Sequence, residues 1–378
     1  MSVVSTNAEF WFAQQPSGAV GDGAYDATTY TWRKFPVIRS AGGVTVSSSL
    51  MPLESGSMVP TGSYKNGMFT QGVLTFIPRV DGVMGHILKS AFGRITTTNN
   101  KDMDGATTTG GVHTHFARFQ ASPALHETPW FGLYKGIVNG ADTSTNFAEV
   151  AYDCKVANLR FNIQAANKVA MEMAFIGRKA ILERGATALT AIAAVDYQSS
   201  VSTPEPTNFV TIGNVTYPLV SMTIDLNNGL TSYQQEAQIG TPYMTDIISV
   251  GGRSATVRMV IKIANTNLYQ KILTGDTSST ALSSLPFEIV TDSNGYTFNA
   301  SFKSSKIIAT TYMHELRIMG NTMSFQAQPP QLQPGGILYQ EIVGTFTAPI
   351  ATSGSATYRN DYLVAAWTSS NLGAVYNT

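Results

Sequence analysis

Apolar and polar residues alternate in many short stretches of this chain, and two stretches show the closer apolar spacing of a helix, which predicts a mainly β protein with two short helices. In the first, Val73, Thr75 and Ile77 alternate as a strand with one face toward a core. Asp81, Val83, Met84, Ile87, Leu88 and Gly93 then follow with the spacing of a helix that has an Asx cap at its start and a glycine at its end. The succession returns as Val257, Met259, Ile261 and Ile263, then Asn265, Leu268, Tyr269, Ile272, Leu273 and Gly275. The strands repeat at a spacing of 184 (Val73 to Val257) and the helices at 185 (Leu88 to Leu273), a one-residue loop difference.

Past the helices, Ala124, Leu125, Pro129 and Trp130 match Ala281, Leu282, Pro286 and Phe287, and Leu159-Arg160-Phe161 matches Leu316-Arg317-Ile318, all at a spacing of 157. The drop in spacing puts a long insertion between Gly93 and Ala124. Two tandem copies of a sheet-plus-helix unit are therefore expected.

The copies suggest a division into an N-terminal arm (1–34), a first domain (35–180), a linker (181–208), a second domain (209–331) and a C-terminal extension (332–378). The arm, with Trp11, Phe12 and Trp32 among small residues, reads as a segment that packs on a neighbour. Extended segments from Phe35 to Gln71 break at Pro52 and Pro60. Arg94 to Gly111 is rich in Thr, Asn, Asp and Gly and reads as an exposed loop. Strands over 156–163 and 168–177 join at a turn around Ala165 to Asn167, and Ala180 to Glu183 reads as a short helix. Asn227-Asn228-Gly229 predicts a hairpin returning through Tyr233 to Ile239, and Asp292-Ser293-Asn294-Gly295 a second one between Phe287–Val290 and Tyr296–Phe302. Two further strands are expected at Gly344–Pro349 and Tyr362–Trp367.

Composition changes this picture in one respect. Charged residues make up 13 % of the 378, about half the usual ~25 %, so much of the surface must be uncharged, which suits extensive contacts between proteins. The 24 basic and 24 acidic residues cancel, which argues against tight nucleic-acid binding by the whole chain. The lone Cys154 excludes an internal disulfide and reads as a buried thiol. No signal-peptide pattern opens the chain and no apolar run approaches the ~20 residues of a membrane span, so an aqueous, reducing compartment is expected.

Catalytic chemistry finds little support. His113 and His115 would share a strand face, with His126 and Glu127 nearby, but no third ligand has metal-site spacing, and solvated or interface histidines are the simpler reading. His86 and His314 have no evident partners. No nucleophile elbow frames a serine, the carboxylates are dispersed, and Gly110-Gly111 and Gly251-Gly252 lack the lysine and hydroxyl of a phosphate loop and read as turns. Trp130, Phe131 and Tyr134 could stack on sugars or bases, although a strand setting favours core packing. No catalytic, cofactor-binding or metal-ligating residue is assigned.

The order of these features resembles the tail tube proteins of long-tailed bacteriophages, in the form that carries two tube domains in one chain. The resemblance covers roughly residues 60–330. It rests on Thr75-Phe76-Ile77-Pro78 through Ala91-Phe92-Gly93, on Tyr152-Asp153-Cys154-Lys155-Val156 with Ala174-Phe175-Ile176-Gly177, on Val220 through Gly229, and on Gly251-Gly252-Arg253 through Ile263 with Leu268 to Leu273. It implies two β-sandwich or half-barrel domains, each flanked by one helix, and a non-enzymatic virion protein of a siphovirus-type tail, assembled in the host cytoplasm. Rings of three chains with pseudo-six-fold symmetry would stack into a tube. Its partners would be itself, a tape-measure protein and terminator and tip proteins, with DNA passing through unbound and no membrane contact. Arg94–Gly111 and Ser232–Val250 would reach the adjacent ring. The competing reading of the residues is a carbohydrate-binding or adhesive β-sandwich module.

Overall fold

The structure, a computed structural model, describes residues 8–15, 30–34, 36–50, 63–78, 83–99, 113–120, 128–137, 146–164, 167, 169–185, 205–206, 209–212, 215–237, 243–244, 246–249, 252–263, 284–292, 315–327, 331–332, 338–346 and 361–369. The chain is mainly β. Its first half contains β1 (Ala8–Gln14), β2 (Arg33–Lys34), β3 (Arg39–Leu50), β4 (Ser63–Phe76), α1 (Met84–Phe92), β5 (Arg94–Thr98), β6 (His113–Gln120), β7 (Phe131–Ile137), β8 (Phe147–Gln164) and β9 (Ala170–Arg184). The second contains β10 (Glu205–Pro206), β11 (Phe209–Ile212), β12 (Val215–Asn227), α2 (Tyr233–Glu236), β13 (Ser254–Ile263), β14 (Ser284–Asp292), β15 (Glu315–Ala327), β16 (Gln331–Leu332), β17 (Leu338–Phe346) and β18 (Asp361–Ser369).

Antiparallel ladders follow one another around two cycles, of which the second closes on itself and the first closes except between β2 and β3, which no ladder joins among the described residues. In the first, β1 pairs with β2, and β3, separated from β2 by residues 35–38 alone, pairs with β4. The ladder then runs from β4 to β9, β8 and β7, and returns to β1. In the second, β11 pairs with β12, then β13, β17, β15 and β14 follow, and β14 returns to β11. Closure gives edge amides and carbonyls partners that an open sheet would lack. Two ladders join the cycles: β8 pairs with β12, and β18 bridges β6 to β15.

These closures draw on strands outside the expected core segments. β1 lies in the expected arm, yet it pairs over its whole length with β7 of its own chain. β17 and β18, in the expected extension, complete the second cycle and the bridge. Glu183 and its neighbours are not helical, because β9 runs to Arg184 and sets Ala180 opposite Ala151 and Ile181 opposite Val150. The expected loop begins as a strand, since Ile95, Thr96, Thr97 and Thr98 are all β-branched and pair with β6. The rest of that loop, 100–111, lies outside the described residues, as do Asp81, the second helix and residues 296–302.

The two Asn-rich turns also close differently. Gly229 adopts φ 58 and its N–H bonds Asn227 Oδ1 at 2.8 Å, but the strand returning beside β12 is β13, with Asn227 opposite Ser254. Tyr233–Glu236 is a helical turn with a capping box between Ser232 and Gln235. Likewise Asp292 of β14 faces Glu315 of β15. The Leu-Arg match at a spacing of 157 is not structural either: it would set Glu288 opposite residue 311, whereas the ladder sets it opposite Met319.

Helix α1 follows the expected pattern in its packing. Val83, Met84, Ile87, Leu88, Ala91 and Phe92 are all buried, and Gly93 ends the helix at φ 95, its N–H bonding Lys89 O at 2.8 Å. Val83 occupies the cap position without a side-chain bond. In β13 Val257, Met259 and Ile261 face the core as expected; in β4 the buried residues are Leu74 and Phe76, so the core face is the opposite of the one expected. One apolar core runs from α1 and Phe12 through Leu159 and Phe161 to Met222 and Val257. A smaller cluster on the other side of β1 and β7 holds Trp11, Tyr30, Trp32 and Tyr134.

Candidate assembly interface

For a chain without an evident catalytic constellation, the informative surfaces are strand edges and the junction between the two cycles. β8 builds that junction. It pairs with β7 up to Cys154, and from Asn158 to Gln164 with β12. Leu159 faces Leu226, Phe161 faces Ile224 and Ile163 faces Met222, and all six are buried. Each such side chain contributes roughly 1.5–3 kcal/mol relative to exposure. A bulge between Leu219 and Ser221 lets both Leu219 and Met222 turn inward despite their spacing of three.

The outward positions of the same ladder are polar. Arg160 Nε donates to Asp225 Oδ1 at 2.5 Å, its Nη1 lies 3.5 Å from Glu172, and Thr223 bonds Asn162 at 3.4 Å. The junction is thus apolar within and hydrogen-bonded without.

Two buried polar groups lock further segments to it. At the end of α1, the Asn228 amide donates to the carbonyls of Ala91 and Val156, while Arg253 donates from Nε to Asn228 Oδ1 and from Nη2 to the Ala91 and Phe92 carbonyls. A cation at a helix C-terminus is favourable, and burial lowers the Arg253 pKa to about 9, which leaves it charged at neutral pH. At the second, Asp153 sits at φ 52 where β8 bulges against β7. Its N–H bonds Gln15 Oε1 at 2.8 Å, Gln15 Nε2 donates back to Oδ1 at 2.9 Å, and Arg178 Nη1 lies 3.4 Å from Oδ2 while its Nε donates to Met244 O. Asn228, Tyr233, Met244 and Arg253 thus all contact the first cycle, Tyr233 stacking on Phe69 at 5.1 Å. No single residue pattern announces these locks, because their members lie up to 162 positions apart.

The expected site residues fall elsewhere. His113 and His115 are buried in β6, His115 Nδ1 lying 2.8 Å from Thr97 Oγ1, and the described residues contain no group of three or more His, Cys, Asp or Glu placed to hold a metal. His126, Glu127, His314 and Gly110-Gly111 lie outside the described residues. His86 is buried in α1, and desolvation, then the charges of Arg33 and Lys89, lower its pKa to about 3. Phe131 and Tyr134 are fully buried, and Trp130 is half-buried with Lys155 Nζ 4.1 Å over one face of its ring. Cys154 is buried, and desolvation followed by Asp153 pushes its thiol pKa well up.

A mainly β chain with closed ladders, polar locks and a low charge content has the build of a structural subunit. A family model described as phage tail tube protein matches residues 41–363, and the chain belongs to that family: it is a structural tail tube component of the virion. No curated protein matches it.

Proposed function

We propose that this protein is the tube subunit of a long non-contractile, siphovirus-type tail, and that its two strand cycles are two tandem tube domains. Three chains then close a ring with pseudo-six-fold symmetry, and rings stack through head-to-tail contacts, which propagate as an open tube. The tube encloses a tape-measure protein while it grows in the host cytoplasm, is finished by terminator and tip proteins, and later conducts the genome. A conduit gains from weak affinity for its cargo, and the chain's 24 basic and 24 acidic residues balance.

The observation that carries this reading is the shared strand order of the two cycles, set side by side by the ladder between β8 and β12. That is the arrangement neighbours in a ring would have. Sedimentation and negative-stain electron microscopy of the purified chain test it: rings of three chains with six lobes, and tubes built from them, are expected. A discrete monomer with glycan affinity would overturn it in favour of an adhesive module.

A further inference from the structure

The segment that leads from β12 to β13 takes a path that the ladder between the cycles does not require. Its described residues attach to three elements of the first half of the chain. On β4, the Tyr233 ring lies nearly parallel to Phe69, 5.1 Å away, and its hydroxyl end fills the space over Gly67, where a Cβ would collide with it. On β9, Arg178 Nε donates to Met244 O at 2.9 Å, and Lys179 Nζ lies 5.5 Å from the centre of the Tyr243 ring. At the end of α1, Asn228 and Arg253 hold the Ala91 and Phe92 carbonyls. The segment is also tied to itself. Thr231 N–H bonds Ile248 O at 2.8 Å, Ile248 N–H bonds Thr231 Oγ1 at 3.1 Å, and Leu230 bridges Ser249 while Ala237 bridges Met244.

A single ladder between two domains fixes where they touch but leaves them free to swing about its length. The ladder of β8 and β12 is such a hinge line. β9 and β4 lie one and two strands beyond it in the first cycle, so at about 4.8 Å per strand β4 stands roughly 10 Å off the line, where a contact opposes swinging best. We infer that the segment between β12 and β13 is a brace that fixes the angle between the two cycles before assembly, rather than a contact with the adjacent ring. Three chains close a ring only if each turns the path by a third of a circle, so the two units of one chain must stand about a sixth of a turn apart. The inference rests on the tandem-domain reading above and assigns that angle to particular residues.

Burial and sequence both favour a contact inside one chain. Met244 and Ile247 are buried without any neighbour, and among the described residues of the segment only Ile248, at 44 %, is a strongly exposed large apolar side chain. A segment meant for another ring would leave more apolar surface bare until that ring arrived. Gly67 lies in a strand, where glycine is a weak choice, and its φ is not in the left-handed region, so its backbone does not demand glycine. What excludes a side chain there is the Tyr233 hydroxyl.

The full-length protein carries the test. Gly67→Val places a branched side chain where the Tyr233 hydroxyl lies, and Tyr233→Ala, at a half-buried position, removes the ring without adding bulk; Tyr233→Phe keeps the stack and serves as control. In the unassembled chain, amide exchange at residues 246–249 is expected to quicken about tenfold or more in the first two variants and to stay unchanged in the third. Unchanged exchange in the first two overturns the brace. In negative-stain micrographs the unaltered protein and Tyr233→Phe should give closed rings of three chains, whereas Gly67→Val and Tyr233→Ala should give mostly open arcs and rings of mixed size. Uniform closed rings that fail to stack would assign the segment to the contact between rings and overturn the inference, as would uniform rings that stack normally. If the unaltered chain forms no rings at all, the tandem-domain reading beneath the inference fails instead.

Discussion

Two strand borders of the molecule share a geometry and differ in chemistry. Between β8 and β12 the ladder carries buried apolar pairs inside with Arg160 and Asp225 outside. Along β3, which among the described residues pairs with β4 alone, the sequence offers Arg39, two glycines and exposed Ile38 instead. A junction that is never bare can be apolar, whereas charge and glycines make a weak template for pairing with a wrong strand. The contrast implies that damage at the buried junction costs more folding stability than damage along β3.

The largest effect expected is on the junction side. Arg178→Met removes the cation facing Asp153, whose side chain is 1 % exposed, and strands its carboxylate in the interior. A loss of about 3–5 kcal/mol follows in urea unfolding of the unassembled chain. A loss below about 1 kcal/mol would show that the lock is dispensable.

His86 gives a pH-dependent effect in the same half. Its folded pKa is about 3 against 6.5 unfolded, so between those values the unfolded chain binds the extra proton and stability falls as pH falls. The native protein should lose about 1.4 kcal/mol per pH unit below 6.5 from this group. His86→Gln removes that slope, and parallel stability curves for the two proteins between pH 4.5 and 7 would refute the assignment.

How much of this was legible in the sequence depends on how far apart the partners lie. Helix α1 and the β8–β9 hairpin were readable because apolar spacing, Gly93 and the turn near Asn167 are local signals. Ala180 to Glu183 misled because Ala, Ile, Leu and Glu tolerate a helix, and pairing with Val150 and Ala151 outweighs that weak preference. Leu219 and Met222 defied a strict alternation because the bulge is a property of the ladder. The turn at Asn227 was correct and its return strand was not, since an Asn-Gly signal fixes the reversal but not where the chain resumes pairing. For the candidate interface, β4 and β13 were visible as strands, but the match between them sets Val73, which is not on the core face, beside core-facing Val257, and the closing strands β1 and β17 became recognisable only through their distant partners.

A middling effect separates β3 from the junction. Gly42 adopts φ 93, and a Cβ there would meet Gln71 O at 2.3 Å, so Gly42→Ala must shift β3 against β4. About 1–3 kcal/mol of stability is expected to go in urea unfolding. A loss as large as that of Arg178→Met would mean that β3 is built as deeply into the fold as the junction.

The smallest effect concerns the polar side of the junction. Arg160 and Asp225 form a short, directed ion pair, but their side chains are 41 % and 30 % exposed, so water screens much of the attraction. A double-mutant cycle with Arg160→Met and Asp225→Asn should give a coupling below about 1 kcal/mol, reduced further at high salt. A coupling of several kcal/mol would move the energy of the junction from its buried Leu, Phe, Ile and Met pairs to its rim.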